Sequence, residues 1–265
     1  MTGWLIYDSE GAVRNRTCIN MYLQQSKMRG MDLKFLLDTQ LDFCNPPDFA
    51  IVRTMQPNIN KKLESLGVRV FNNSFVSEMC NNKQNTYKYV SENGIEILHA
   101  FYGQAGIVPD NITFPCVIKP SCSHGGNNVS IINNKSELET AVNDIYPDSF
   151  VCQAVATDKG KDLRVYIIGN QIICAMLRTS EKDFRSNFCL GGKAEIYTLT
   201  KQETELVKRI ISLFDFGLVG IDFVFNNGKI VFNEIEDVVG ARMLYEKTQI
   251  DIVSLYLDYI LKEIK

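Results

Sequence analysis

Residues 218–240, LVGIDFVFNNGKIVFNEIEDVVG, form the stretch of sequence that decides the fold. Two runs rich in valine, isoleucine and phenylalanine flank the polar residues 226–229, and this pattern predicts a β-hairpin. Three acids lie in these runs: Asp222, Glu234 and Glu236. Three carboxylates on one hairpin face repel each other unless a cation lies among them. Hard oxygen ligands of this kind suit Mg²⁺, commonly where it bridges to nucleotide phosphates.

The register of this hairpin decides whether the carboxylates converge. A two-residue Asn227-Gly228 turn would place Asp222 on the opposite face from Glu234. A three-residue loop that starts at Asn226, with Gly228 left-handed at a bulge, places residues 222, 232, 234 and 236 on one face. We therefore predict the three-residue loop. For the hairpin alone, an exposed acidic face without a metal remains the alternative.

Composition and charge narrow the class of protein. The chain has 265 residues, 45% hydrophobic and 22% charged, which predicts a globular protein with a sizeable core in one large domain or two to three lobes. A net charge of −3, without basic runs, argues against a nucleic-acid partner. Eight cysteines without a CxxC pair favour reduced, buried thiols. With no leader and no membrane-length apolar stretch in the sequence, we expect a cytoplasmic protein with no membrane partner.

The first 75 residues alternate between strand and helix patterns, which predicts a small parallel α/β lobe. Ligands of such sheets bind at the carboxyl ends of the strands. Four polar residues fall at these ends: Tyr7, Asp8, Arg53 and Thr54. Each could contact a substrate, and each could equally well be an ordinary polar residue at the end of a strand. The predicted strands are 4–7, 33–37, 49–52 and 68–71, and the predicted helices are 14–29 and 60–66.

The middle of the chain carries a candidate phosphate loop. A helix predicted over 77–93 holds Lys83, and Lys119 ends a predicted strand just before the small-residue loop 121–128. Backbone N–H groups in such a loop can turn toward oxyanions, with lysine supplying positive charge. A plain hairpin loop explains the same residues equally well. The flanking predictions are strands 114–119, 129–132 and 150–155, and a helix 136–144 that opens with a Ser136–Glu139 capping box.

The last hundred residues combine a hairpin with a polar segment. Strands are predicted over 162–168 and 171–177, and Asp162 and Arg164 share one face, where they could reach a ribose and a phosphate. The following segment, 178–192, is polar and holds Arg178 and Arg185, and the planar fork of arginine suits phosphates and carboxylates. Amphipathic helices are predicted over 200–214 and 250–264.

The order of these motifs strongly resembles the ATP-grasp superfamily, and within it the RimK-type carboxylate–amine ligases. The likeness covers roughly residues 80–260, and it is most specific in DFRSN at 183–187 and in the spacing of the three hairpin acids. It implies an α/β fold with α+β lobes, in which two lobes sandwich ATP. The lobes would be an N-terminal 1–78, a central 79–156 and a C-terminal 157–265. The other motifs are KP at 119–120, GKDLRVYIIGNQIICAMLR at 160–178, GG at 191–192, GIDFVF at 220–225 and FNEIE at 232–236.

The resemblance implies a set of nucleotide and metal ligands. Lys83 and Lys119 would contact the phosphates, and Asp162 the ribose hydroxyls. Gln153 and Val155 would meet adenine, largely through their backbone. The loop over the phosphates would include Ser123, His124, Gly125 and Gly126. Two Mg²⁺ ions, replaceable by Mn²⁺, would be held by Asp222, Glu234 and Glu236.

It also implies catalytic residues. Arg185 and Asn187 would lie beside the γ-phosphate and an acyl-phosphate, and Arg164 would help to neutralise the anionic reactants. Apart from the resemblance, the candidate substrate contacts are Tyr7 and Arg53 at the strand ends, Arg178 in the polar segment, and Arg242, for which a surface arginine is nearly as good an explanation.

The activity implied is ATP-dependent joining of a carboxylate to an amine through an acyl-phosphate, with release of ADP and phosphate. The substrates would be small-molecule or peptide carboxylates and amines, and a homo-oligomer is compatible with the sequence. An ATP-binding regulatory module and an ATP-grasp small-molecule kinase are the alternatives.

Three departures from the family pattern concern the site itself. Gln153 stands where glutamate is common, and Glu236 where asparagine is common, with Asp237 beside it. The extra negative charge could tighten metal binding or shift its geometry. Residues 238–240 are Val-Val-Gly instead of Ser-Pro-Gly, in the segment that lines the acceptor pocket of the family. The acceptor of a typical member therefore cannot be assumed.

Overall fold

The computed structural model describes residues 1–123, 128–180 and 192–264. Its first sheet is parallel throughout, in the order β2-β1-β3-β4, so the predicted parallel sheet is confirmed. The helix predicted over 14–29 is confirmed as α2, which covers Arg16–Met28, and a short helix that was not predicted, α1, precedes it over Ser9–Arg14 with Asp8 as its cap. The elements are β1 Thr2–Tyr7, α1 Ser9–Arg14, α2 Arg16–Met28, β2 Asp32–Leu37, a 3₁₀ turn Asp38–Gln40, β3 Phe49–Val52, α3 Pro57–Ser65 and β4 Arg69–Phe71.

The second sheet is antiparallel, in the order β5-β8-β6-β7. Two helices, α4 and α5, replace the predicted helix 77–93, because Asn82 caps a new helix with its side chain. The predicted Ser136–Glu139 capping box is wrong by two residues, since Asn134 accepts from the backbone N–H of Glu137. The elements are α4 Ser74–Cys80, α5 Lys83–Glu92, β5 Ala100–Gly103, β6 Cys116–Pro120, β7 Ser130–Ile132, α6 Lys135–Ile145 and β8 Phe150–Ala154.

The third sheet is antiparallel, in the order β11-β10-β9-β12-β13. The helix before the acidic hairpin starts with a capping box formed by Thr200 and Glu203. The elements are β9 Lys161–Ile168, β10 Gln171–Thr179, β11 Lys193–Tyr197, α7 Lys201–Ile211, β12 Leu218–Asn226, β13 Lys229–Glu236, α8 Arg242–Lys247 and α9 Ile252–Ile264.

The turn of the β12–β13 hairpin is not the predicted three-residue loop. Asn226 pairs with Lys229, so the turn contains only Asn227 and Gly228, both with positive φ (51° and 73°). A shift of register between Asp222 and Phe223 then leaves Asn233 unpaired in a β-bulge. Beyond the bulge Asp222 lies opposite Glu234, so the three carboxylates converge although the predicted turn was wrong.

A shared core joins the first and third sheets. Buried side chains from β1 and β3 belong to one cluster with Tyr166 of β9, Leu218 of β12, and Val239 after β13, and α9 packs into it. This packing brings the carboxyl edge of the parallel sheet against residues 237–240, which follow the acidic strand. Helices α4 and α5 pack on the third sheet through a second cluster. The lobe boundaries at 78 and 156 stay predictions.

Candidate active site

Three carboxylates converge at the end of the β12–β13 hairpin. Asp222, Glu234 and Glu236 each offer an oxygen, and these oxygens lie within 4.8 Å of one another. The bulge at Asn233 produces this arrangement because it returns Glu234 and Glu236 to the face of Asp222. Asp222 is buried, while the two glutamates are partly exposed. The donor set consists of hard oxygen ligands and therefore fits Mg²⁺.

Two buried arginines lie against these carboxylates. Arg164 of β9 forks onto Asp222, from Nε to Oδ1 at 2.8 Å and from Nη2 to Oδ2 at 2.6 Å, and its Nη2 lies 2.5 Å from Glu236. Arg178 of β10 bonds Asp222 at 2.8 Å and forks onto Asp162. Cross-strand pairing sets the contacts, since Asp222 is opposite Arg164, and Asp162 is opposite Arg178. The site thus alternates anions with cations.

The pKa values of the three acids differ because their cationic neighbours differ. Burial alone would raise the pKa of Asp222, but Arg164 and Arg178 outweigh it and lower the pKa below the usual range. Lys83 similarly lowers the pKa of Glu234 against the effect of burial. Burial raises the pKa of Glu236, which has Arg164 beside it but also the charges of the other two acids. A divalent cation would favour the ionised form of all three.

Two buried lysines complete the cationic side of the site. Lys83, at the start of α5, contacts the backbone carbonyl of Ser123 and lies 3.5 Å from Glu234. Lys119 of β6 donates to Gln153 and Asn233, each at 2.8 Å. Burial lowers the pKa of Lys119 to about 8. The lysines therefore connect the second sheet and the loop after β6 to the acidic hairpin, as expected for a site between two lobes.

Gln153 has an unsatisfied buried donor. Lysine only donates, so the side-chain oxygen of Gln153 faces Lys119, and its Nε2 is buried without a hydrogen-bond partner. The strand that carries Gln153 has neighbours on both sides, so its backbone pairs within the sheet, and its side chain is the group free to meet a ligand. Val155 follows the end of β8. An acceptor atom of a nucleotide would satisfy the unpaired amide.

A family model describing the RimK-like ATP-grasp domain matches residues 81–260. The chain belongs to this family. A probable alpha-L-glutamate ligase 2 of Hahella chejuensis is 24% identical over 236 residues, which cover 86% of this chain and 78% of that protein. Human N-acetylaspartylglutamate synthase A is 26% identical over 232 residues, covering 80% of this chain and 59% of that protein.

Solved structures show the same ATP-grasp fold. A RimK-domain ATP-grasp protein of Sphaerobacter thermophilus superposes with a TM-score of 0.75 at 15% identity, over 98% of this chain and 100% of that one. D-alanine–D-alanine ligase of Bacillus anthracis gives a TM-score of 0.78 at 17% identity, over 100% and 97%. The predicted α/β ATP-grasp fold is confirmed, as is the prediction of an ATP-dependent ligase that forms carbon–nitrogen bonds.

Some residues that the sequence connects with the site are not part of the carboxylate cluster, and others lie outside the described residues. The carboxylate of Asp237 accepts from Asn72 at 2.6 Å and Asn81 at 3.0 Å, and it is not among the converging carboxylates. Asp237 therefore adds no ligand to the three converging carboxylates. Arg242 is exposed at the start of α8. His124, Gly125, Gly126, Arg185 and Asn187 lie outside the described residues.

Asn233 is a site residue that the sequence patterns did not reveal. Period-two alternation places it on the opposite face from Glu234, and only the bulge brings its amide oxygen to Lys119. Nothing in the local sequence FNEIE at 232–236 marks residue 233 as a bulge position.

No helix among the described residues is both long and apolar enough to span a membrane.

Proposed function

We propose that the protein joins a carboxylate to the amine of an amino acid or peptide, in an ATP-dependent reaction through an acyl-phosphate. One observation carries the proposal: the three converging carboxylates share a site with Lys83, Lys119, Arg164 and Arg178. ATP and a carboxylate are both anions, so their reaction requires many positive charges around the γ-phosphate. The alternative considered for the hairpin alone was an exposed acidic face without a metal. Such a face would not need four basic side chains beside the three carboxylates.

The metal role is assigned from the chemistry of the donors. Asp222, Glu234 and Glu236 would hold Mg²⁺, with two ions expected and Mn²⁺ as a substitute, because all three offer hard oxygen ligands within 4.8 Å of one another. Bound Mg²⁺ would act as a Lewis acid on the phosphate oxygens. Arg164 already holds positive charge between Asp222 and Glu236, which supports a preference of this position for cations.

The remaining roles follow the positions of the side chains. Lys83 and Lys119 would contact phosphate oxygens, and the free amide of Gln153 would donate to the nucleotide. Asp162, the proposed ribose ligand, is held in place by Arg178. Arg164 would stabilise the negative charge that develops during phosphoryl transfer. The roles of Arg185 and Asn187 stay predictions from the resemblance.

The proposed reaction has two displacements. A carboxylate oxygen of the first substrate attacks the γ-phosphorus, the bond to the ADP oxygen breaks, and an acyl-phosphate forms. The amine nitrogen of the second substrate then attacks the acyl carbon, an amide bond forms, and phosphate leaves with the original carboxylate oxygen. The amine loses a proton in this step. The lysines and arginines neutralise the reactants, and exclusion of water protects the acyl-phosphate.

The names of two relatives favour an amino-acid substrate. A glutamate ligase and an N-acetylaspartylglutamate synthase both have names that include glutamate. We infer that one substrate here is an amino acid or a short peptide. Residues 238–240 are Val-Val-Gly in the segment that lines the acceptor pocket of the family, so the acceptor can differ from that of a typical member. Glutamate is therefore tested as one candidate substrate among others. A cytoplasmic location and a homo-oligomeric state stay predictions.

The test is ADP and phosphate release by the purified protein with ATP, Mg²⁺ and paired panels of carboxylates and amines. Release that needs both a carboxylate and an amine, with a matching amide by mass spectrometry, is the expected result. ATP binding without release on any pair would instead indicate a regulatory module. A phosphorylated product that is stable to hydroxylamine would indicate a kinase, because an acyl-phosphate is trapped as a hydroxamate.

A further inference from the structure

A second group of buried polar side chains lies at the carboxyl edge of the parallel sheet. Tyr7 ends β1, and Arg53 and Thr54 follow the neighbouring strand β3. All three side chains are at least nine-tenths buried, with exposures of 1%, 8% and 1%. Ligands bind at this edge in parallel α/β sheets, because the strand ends and following loops create a crevice there.

These side chains present donors that the protein itself does not use. Arg53 Nε, the Tyr7 hydroxyl and the Thr54 hydroxyl are buried and make no hydrogen bond of good geometry, although the Tyr7 hydroxyl lies beside the Arg53 guanidinium and the Cys18 thiol. The guanidinium donates from Nη2 to the carbonyl of Val239 at 2.7 Å, which uses one of its five N–H groups. Burial raises the pKa of Tyr7 to about 12, so its hydroxyl keeps its proton and remains a donor.

No acid among residues 1–123, 128–180 and 192–264 forms an ion pair with Arg53. Asp237 is close enough for the charge of Arg53 to affect its pKa, but both of its oxygens are bonded to asparagines, Asn72 and Asn81. A buried guanidinium without a counter-ion is costly, and the neighbouring hydroxyls add donors and no negative charge. The group therefore lacks an anion.

The location of this group ties it to the proposed reaction. Arg53 bonds the carbonyl of Val239, and Tyr166 donates to the carbonyl of Gly240 at 2.9 Å, so both contact the segment that directly follows Glu236. Arg53 makes no ion pair with the three converging carboxylates, which lie with Lys83 and Arg164. An anion at Arg53 would thus lie next to the reaction site but not at its phosphate-binding groups.

We propose that Arg53, with Tyr7 and Thr54, binds a substrate carboxylate other than the one that reacts. A carboxylate presents two coplanar oxygens, which match the planar fork of a guanidinium and accept further bonds from hydroxyls. The proposal rests on the proposed ligase function and narrows its substrate class: one substrate carries a free carboxylate in addition to its reacting group, as an amino acid, peptide or dicarboxylate does.

The test compares KM values of four variants of the full chain. Arg53→Met removes the fork, Arg53→Lys keeps the charge, and Tyr7→Phe removes only the unpaired hydroxyl. Arg14→Met, an exposed residue of α1, is the matched control. The probes are L-glutamate, its α-amide and its γ-amide, with L-aspartate and succinate as further carboxylates. They are assayed by ADP release and also by the shift of the melting temperature that each compound causes.

For a substrate that keeps the anchoring carboxylate, we expect Arg53→Met to raise KM at least about thirtyfold and to leave KM for ATP within about twofold. Arg53→Lys should restore part of the loss. Tyr7→Phe should raise the same KM about threefold or more while the protein stays folded, because the hydroxyl has no partner to lose. With the wild-type protein, amidation of the anchoring carboxylate of the substrate should raise KM as much as Arg53→Met does. With Arg53→Met, the same amidation should change KM little further.

Two results would overturn the inference. One is that Arg53→Met weakens the affinity for ATP and for the carboxylate substrate equally, while Tyr7→Phe changes neither. This result is expected if Arg53 only holds the backbone in place through its hydrogen bond to Val239. The other is an absence of any thermal stabilisation of wild type by L-glutamate, L-aspartate and succinate. If wild type binds these probes through Arg53 but never releases ADP, the proposed ligase function fails and the carboxylate site stands.

Discussion

Asp222→Asn tests the electrostatic account of the site most quantitatively. Asp222 is 1% exposed and accepts three hydrogen bonds from two buried arginines, at 2.8, 2.6 and 2.8 Å. Asparagine keeps the shape but removes the charge and turns an NH₂ group toward guanidinium N–H donors. Arg164 retains Glu236, and Arg178 retains Asp162, so neither arginine becomes fully unpaired. We therefore expect the lower end of the cost of a broken buried ion pair, about 3 kcal/mol of unfolding free energy.

The assay is urea unfolding at pH 7, followed by far-UV circular dichroism and by the fluorescence of Trp4, which is the single tryptophan and is buried in β1. Glu205→Gln, on the exposed face of α7, is the control and should change stability by less than about 0.5 kcal/mol. The reasoning is refuted if Asp222→Asn costs less than about 1 kcal/mol, because the arginines would then not depend on this charge.

The pH dependence provides a second check on the same residue. The pKa of Asp222 is lowered in the folded protein, so the ionised carboxylate stabilises the fold above the unfolded pKa near 4, and this contribution is lost as pH falls below it. The stability of wild type should thus decline more steeply than that of Asp222→Asn as the pH is lowered from about 4. Parallel curves for the two proteins would contradict the assigned pKa shift.

Three further predictions concern the metal, the nucleotide and the fold. Glu234→Gln should raise the Mg²⁺ concentration for half-maximal ADP release at least about tenfold, with Glu205→Gln unchanged; an unaltered Mg²⁺ curve would exclude Glu234 as a ligand. The pKa of Lys119 is about 8, so calorimetric ADP affinity should fall by up to about tenfold per pH unit above pH 8 as Lys119 loses its charge, and Lys119→Met should remove this dependence. Asn72→Ala should lower thermal unfolding stability by about 3 kcal/mol, because it leaves Oδ1 of the buried Asp237 carboxylate and the Gly217 N–H without the partner that Asn72 supplies; a loss below about 1 kcal/mol would show that other groups replace it.

The acidic hairpin shows what local sequence patterns predict and where they fail. The alternation of β12 and β13 and the Asn227-Gly228 pair are local signals, and the hairpin forms where they place it. The bulge at Asn233 has no local signal. The amide of Asn233 bonds Lys119, which is more than a hundred residues away in sequence, so the register that unites the carboxylates depends on tertiary contacts.

The same distinction explains the other differences. Hydrophobic periodicity located β1, β3, β9 and β12 because their side chains are buried. It missed β11, an edge strand in which none of the five residues is buried. The sequence placed Asp162 and Arg164 on one face, but the partners of Arg164 and Arg178 come from strand pairings that only the folded sheet determines.

Arg53 and Tyr7 illustrate how burial changes an interpretation. The sequence alone explained each residue equally well as an ordinary polar residue at the end of a strand and as a substrate contact. The structure shows that both are buried with unpaired donors, which is a property that no sequence pattern encodes.

The measurement that tests the central claim most directly is transfer of ¹⁸O from a labelled carboxylate substrate to the released phosphate, read by mass spectrometry. Ligation through an acyl-phosphate requires that one ¹⁸O appear in each phosphate released, because phosphate leaves with an oxygen of the attacked carboxylate. Phosphate that contains no label, or only oxygen from labelled water, would contradict the account.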